Sequence, residues 1–232
     1  MTAMRSGRPS KLKNGIAVLG GACAILSLGA CPSTDTTVPP SCALPFIGDK
    51  SQPPQIQLVY ADSDNQSHPV TEGGAIPMLL PLQGGRVIYA GARVMNVDPC
   101  AALLTGSLRD PDNNQVRFDT RTINLTRASD GWGEASAGDL SAFSNIPACP
   151  NEWSTKSIFE GTYLLSVKIK DRGGRTVEGQ AHVTPACAAP NEAADCRCIC
   201  QAGYVLGQQC PSGVGGSGSS SSSASTTNGS GG

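Results

Sequence analysis

Histidine is nearly missing from this chain: only His68 and His182 occur in 232 residues. Hydrolytic triads, proton shuttles and most zinc centres draw on that side chain. His68 lies in the polar turn Asn65-Gln66-Ser67-His68-Pro69, and His182 on the outer face of a predicted strand; neither stands beside a Ser or Cys motif. No nucleophile elbow, phosphate loop or zinc-binding helix pattern occurs. The chain is therefore expected to be no enzyme and to hold no catalytic residue, metal or cofactor. Aromatic residues are also sparse at 4% and charged residues at 15%, whereas Gly (28) and Pro (17) are frequent. That balance disfavours a helical bundle and fits a β-rich, turn-rich domain. A surplus of basic charge is absent too, the net charge being −1, which argues against a nucleic-acid partner. The longest apolar run, residues 15–28, is shorter than the roughly 20 residues needed to span a bilayer.

What basic charge there is gathers at the start. Residues 1–14 carry Arg5, Arg8, Lys11 and Lys13 and no acid, residues 15–28 are apolar or small, and Gly29-Ala30 precede Cys31. A basic start, a short apolar run and a small-residue cleavage point form a secretory signal at 1–30, cut between Ala30 and Cys31. Its end, Leu28-Gly29-Ala30-Cys31, resembles the lipobox of bacterial lipoproteins. The resemblance implies acylation of Cys31 and a lipid bilayer as first partner. It also implies a lipid-anchored place in the cell envelope, at the outer membrane of a Gram-negative bacterium since Pro32 rather than Asp follows. Two other readings stay open: an ordinary secretion signal with Cys31 as a disulfide thiol, and an uncleaved anchor. Loss of 1–30 removes four basic residues and no acid, which moves the net charge from −1 to −5.

Of the ten Cys, Cys23 leaves with the signal and Cys31 takes lipid. Cys42, Cys100, Cys149, Cys187, Cys196, Cys198, Cys200 and Cys210 remain, an even set that implies disulfides in an exported protein. Three precede residue 187 and five follow it. If all pair within one molecule, at least one bridge joins the terminal cluster to the body. The rival reading, a thiolate metal site, lacks a neighbouring His and has spacings of one residue.

Composition divides the rest. Residues 31–54 form a Pro/Ser/Thr-rich tether. From Gln55, Ile56, Leu58 and Tyr60 alternate as a first strand. Residues 75–82, broken by Pro77 and Pro81, read as an edge segment or irregular crossing. Residues 86–97 read as a long strand with Gly91 as a bulge. Asp110-Pro111-Asp112-Asn113-Asn114 turns a hairpin, and Thr122 to Leu125 reads as another short strand. Residues 128–157 show no sustained period. Tyr163, Leu165, Val167 and Ile169, then Val177, Gly179, Ala181 and Val183, alternate with polar residues around Asp171-Arg172-Gly173-Gly174, which predicts a hairpin with one buried and one wet face. Residues 187–210 are a Cys-rich knot, and 211–232 a disordered Gly/Ser tail.

Glu160-Gly161-Thr162-Tyr163, followed by Leu165 and Val167, resembles the corner before strand F of immunoglobulin-like domains, fibronectin type III included. The resemblance covers roughly residues 55–186 and departs where a Cys would stand at Leu165. It implies an all-β, immunoglobulin-like or fibronectin-like β-sandwich, to which the Cys-rich 187–210 segment adds a disulfide-rich C-terminal appendage and the low-complexity ends add disordered flanks. It also implies a Tyr163 hydroxyl bonded back to backbone. Cys198-x-Cys200-x-x-Gly203-Tyr204 through Cys210 resembles the C-terminal half of an EGF-like module, which implies a Cys200–Cys210 pair.

Three candidate sites stand out. Asp110, Asp112 and Asn114 begin like a calcium loop but lack its later Gly and acid, so Asx turns compete with calcium. Asp62 and Asp64 form a second acidic pair. Trp132 and Trp153, both inside 128–157, are a candidate binding surface for an unknown protein or surface polymer, unless they cover the core. The expectation is a non-enzymatic binding or adhesion module. The alternative is a periplasmic structural or assembly accessory, and a secreted hydrolase has the least support.

Overall fold

The computed structural model describes residue 42 and residues 44–210. The signal at 1–30, the Ala30–Cys31 cleavage point, the lipidation of Cys31, residues 31–41 and the 211–232 tail lie outside the described residues. Eleven strands are described: β1 (Gln55–Ala61), β2 (Ser67–Pro69), β3 (Gly74–Pro77), β4 (Arg86–Met95), β5 (Ala102–Arg109), β6 (Val116–Ile123), β7 (Thr126–Arg127), β8 (Gly133–Glu134), β9 (Ser144–Cys149), β10 (Tyr163–Lys170) and β11 (Thr176–Ala186). One helix, α1 (Ala193–Cys200), follows.

The strands form two sheets, β2-β1-β4-β8-β7 with β9 also on β4, and β3-β11-β10-β5-β6. The chain is thus an all-β, two-sheet sandwich with a disulfide-rich C-terminal appendage. Tyr163, Leu165, Val167 and Ile169 of β10 are all fully buried, as the period of two requires. Each such side chain contributes about 1.5–3 kcal/mol of burial. Beside them in the same sheet lie Leu104 and Leu108, and from the opposite sheet Ile88, Val94 and Ile146 close one core. The tether is shorter than its composition indicates. Ile47 is buried and pairs with Val97, so residues 47–54 belong to the folded body.

Three local expectations change. Gly91 pairs with Val59 in an unbroken ladder, and the register shift of β4 falls at Arg86/Val87 instead. Gly91 is needed because the Phe143 ring lies on it: a Cβ there would meet Phe143 Cδ1 at 2.7 Å. Thr122 and Ile123 continue β6 rather than opening a new strand. Strand β9 hides within the aperiodic 128–157 stretch, because Pro147 and Asn145 mask a buried Ser144, Ile146 and Ala148. The edge reading of residues 75–82 is met at its start, where Gly74–Pro77 forms the edge strand β3, parallel to β11.

The disulfides are Cys42–Cys100, Cys149–Cys200, Cys187–Cys196 and Cys198–Cys210. The implied Cys200–Cys210 pair is thereby replaced. The C-x-C-x-C spacing is wound into α1, so Cys196 and Cys200 lie one turn apart on its inner face and Cys198 lies off it. Cys200 is thus directed at Cys149, and Cys198 is left for Cys210. Cys149–Cys200 is the one bridge between body and appendage, packed against Met78, whose Sδ lies 3.8 and 3.9 Å from the two sulfurs. It spans 51 residues. Replacing both cysteines by Ala is expected to lower unfolding stability by about 3–4 kcal/mol, read by denaturant titration. Loss below about 1 kcal/mol would mean the appendage is held by other contacts.

Candidate functional site

The sandwich has two ends. At the first, the β4–β5 connection meets the β10–β11 turn: Asp171 Oδ2 accepts from Asp98 N–H at 3.1 Å, and Cys42–Cys100 ties the incoming chain there. At the second, the start of β4, the end of β11 and α1 come together. Arg86 bonds Glu192 and, at 2.8 Å, Asp195.

The two Trp do not form one surface. Trp153 is 6% exposed, packs on Tyr163 with ring centroids 5.4 Å apart, and donates from Nε1 to the Ala148 carbonyl at 2.8 Å. It belongs to the core at the second end. Trp132 is half-buried near the first end, beside Gly133, which pairs with Val94. The Arg93 guanidinium lies 5.8 Å from its ring. Their separation follows from the chain path, because β9 carries residue 153 the length of the sheet away from residue 132. The stretch between them is spent on packing. Phe143, with Leu140 and Ala135 beside it, covers Val59 and Ala61 on the outer face of the β1–β4 sheet as a second small core.

Asp110 is fully buried. Its Oδ1 accepts from Asp112 N–H at 2.9 Å and its Oδ2 from Ser154 Oγ at 2.7 Å. Asp112 pairs with Lys156 at 2.8 Å, and Asn114 holds a left-handed φ of 60°. The oxygens are turned to separate partners and build an Asx turn, not a shared cation site. Ser154 Oγ also lies 2.8 Å from the Tyr163 hydroxyl. The corner bond expected to run from Tyr163 to backbone is therefore made to a side chain. Burial pushes the Tyr163 phenol up to about 12 against the pull of the Ser154 bond, helped by the negative charge of Asp110 and Asp112. The phenol stays neutral and the network stays intact through the neutral range.

The candidate site lies elsewhere, at the second end. A groove of about 440 Å³ opens between β1–β2 of one sheet and β3–β11 of the other. Tyr60, Asp62, His68, Pro77, Leu79 and Pro190 line it. Tyr60 and His68 face each other with ring centroids 5.4 Å apart and planes tilted by 30°. His68 Nε2 lies 2.6 Å from Asp62 Oδ2, and Asp62 Oδ1 accepts from the N–H groups of Asp64 at 2.9 Å and Gln66 at 2.8 Å. The backbone bond from Gln66 and then the His68 ring hold the Asp62 carboxyl below its ordinary value. The result is an apolar slot with two aromatic faces and one fixed carboxylate at its rim. Such a slot takes an apolar or ring-bearing group with a donor or positive charge next to it. In the sequence His68 sits in the polar turn 65–69 and Asp62 in the acidic pair just before it. The sequence had no signal that the chain would switch sheets there and set that turn beside residues 77–79 and 186–190.

Both histidines serve that sheet switch. His182 Nδ1 lies 2.7 Å from Glu72 Oε1, and His182 N–H donates to Glu72 Oε2 at 3.0 Å. The backbone bond from His182, then its ring, hold Glu72 below its ordinary value. A carboxylate depressed by folding adds stability that is present above its unfolded pKa and lost as pH falls through its folded one. Residues 62–74 are therefore expected to lose hydrogen-exchange protection below about pH 4, ahead of β4 and β10. Simultaneous loss in all three would refute a local clamp.

Comparison of the chain with protein families, with curated proteins and with solved structures finds no match, so the site is read from its geometry alone.

Proposed function

We propose that this chain is a lipid-anchored envelope protein of a Gram-negative bacterium whose immunoglobulin-like sandwich acts as a non-enzymatic binding module. The Leu28-to-Cys31 pattern supports the anchor, and pairing of the eight later cysteines supports an oxidising compartment. The strand order supports the immunoglobulin-like reading: the first strand is split, with β1 on β4 and β3 parallel to β11, and β5, β10 and β11 share the opposite sheet. The single observation that carries the binding reading is the Tyr60–His68 groove, placed at the end opposite the Cys42–Cys100 attachment. A ligand in it is presented away from the anchor.

One observation favours the assembly-accessory reading. Leu80, Leu82, Val205 and Leu206 are 50%, 106%, 67% and 71% exposed, all on loops at the second end. A permanent partner would cover them.

A photo-reactive residue placed at Ser63, on the groove rim, separates the readings in intact cells. The binding module gives one adduct at Ser63 that disappears with Tyr60→Ala, and none from Thr105 on the outer face of β5. Adducts from Leu82 alone, insensitive to Tyr60→Ala, would transfer support to the accessory reading. Specific turnover by the purified chain would end both.

A further inference from the structure

Phe46 gathers three cations at the first end of the sandwich. Lys50 Nζ lies 5.3 Å and Arg175 Cζ 5.6 Å from its ring centroid, and Arg127 Nη2 donates to its carbonyl at 3.1 Å. These residues come from three separate parts of the chain: the segment after Cys42, the end of β7, and the β10–β11 turn. Leu44, two residues before Phe46, is 41% exposed. Lys170 and Arg172 continue the basic surface along the same turn, both exposed. Among the described residues, Lys50, Arg127, Lys170 and Arg175 have no carboxylate partner, and Arg172 alone is paired, with Asp98 at 2.6 Å. Of the other acids at this end, Asp171 is buried and turned to backbone N–H groups, and Asp130 is held by Arg93. Asp49, bonded to Ser51 and lying in the field of Arg175, and Glu178, bonded to Gln180, are the exposed exceptions. A mature chain of net charge −5 thus puts a basic, partly aromatic surface at one end.

That end is where the chain arrives. Cys42 is tied there to Cys100, and Phe46 is four residues further on. From Cys31 to Cys42 the chain reaches at most about 40 Å fully extended. The ten-residue β4 measures about 33 Å. Facing the other end to the membrane would stretch the tether along the whole sandwich, at a large cost in chain entropy. Facing this end needs no stretching. A cation cluster around an aromatic ring, with an exposed aliphatic residue close by in the chain, is the chemistry that meets anionic lipid headgroups at the interface.

We propose that the Phe46 cluster, with Lys50, Arg127, Lys170 and Arg175, is a docking surface for the anionic phospholipid bilayer that holds the anchor. It sets the sandwich upright with its groove outward. This rests on the lipid anchor at Cys31 proposed above. Each cation near an anionic surface gains about fivefold in local affinity, so two or more give tenfold or greater occupancy.

The test uses the full chain, purified from an envelope that processes lipoproteins and reconstituted into vesicles. A water-soluble amine-acylating reagent then reads each lysine, normalised to the same protein in detergent. With phosphatidylglycerol in the vesicles, Lys50 and Lys170 are expected to label about tenfold more slowly while Lys156 at the second end is unchanged. Phosphatidylcholine alone, or high salt, restores their labelling on the same protein, so no variant has to fold. Lys50 and Lys170 labelling alike in both vesicles, with the protein still bound, overturns the docking surface and leaves the anchor standing. A chain that does not stay with vesicles of either kind overturns the anchor, and this proposal with it.

Discussion

Trp153→Ala is expected to lower unfolding stability by about 3–5 kcal/mol, and Trp132→Ala by less than about 1 kcal/mol. The contrast follows from what each ring touches. Trp153 is almost wholly buried, stacks on Tyr163 and satisfies its Nε1–H on the Ala148 carbonyl. Its loss leaves a cavity between β9 and β10 and an unpaired carbonyl beside it. The bond from Asn113 Nδ2 to the Trp153 backbone carbonyl, at 2.7 Å, is kept by the variant, so the loss falls on the ring alone. Trp132 is half-buried and stands over Arg93, which keeps its bonds to Asp130 at 2.6 Å and Glu134 at 2.7 Å when the ring is gone. Urea titration of the two variants reads the difference as a shift in midpoint at constant slope. Equal, small losses would put Trp153 on the surface and reopen a shared Trp patch.

The second large effect belongs to Arg86. Its side chain is 1% exposed, whereas those of Glu192 and Asp195 are 39% and 38% exposed, and its Nε has no partner among the described residues. The pair is therefore lopsided. Glu192→Gln with Asp195→Asn leaves a buried guanidinium without counter-charge and is expected to cost about 3–5 kcal/mol. Arg86→Met leaves two carboxylates that already reach water, fills most of the vacated volume, and is expected to cost less than about 2 kcal/mol. Thermal denaturation of the two variants ranks them. The reverse order would mean that the arginine is hydrated in solution and the carboxylates are not. The same interaction explains how a short helix of eight residues keeps its place: α1 is held by Arg86 from one side and by the Cys149–Cys200 bridge from the other.

Alternation over Tyr163–Ile169 and Val177–Val183 was enough to predict β10, β11 and their turn, because a strand with one wet face writes its period directly into the residue order. The β5–β6 hairpin was legible from Asp110 to Asn114 for the same local reason. Strand β9 was not, since its outward residues include Pro147, and its inner ones, Ser144 and Ile146, are covered by Gly106 of β5 in the other sheet, far away in sequence. The groove was illegible altogether. Tyr60, Asp62 and His68 are local, but Pro77, Leu79 and Pro190 reach them only through the sheet switch at 62–74 and the return of β11.

The cysteines divide the two kinds of information most clearly. With all eight paired within one molecule, their count and the odd split at residue 187 require a bridge between body and appendage, whatever the fold, and Cys149–Cys200 is that bridge. Parity is a property of the sequence. Which sulfurs meet was decided by tertiary structure, because a disulfide needs Cα atoms within about 7 Å, and only the winding of α1 turned Cys200 inward to Cys149 and left Cys198 to Cys210.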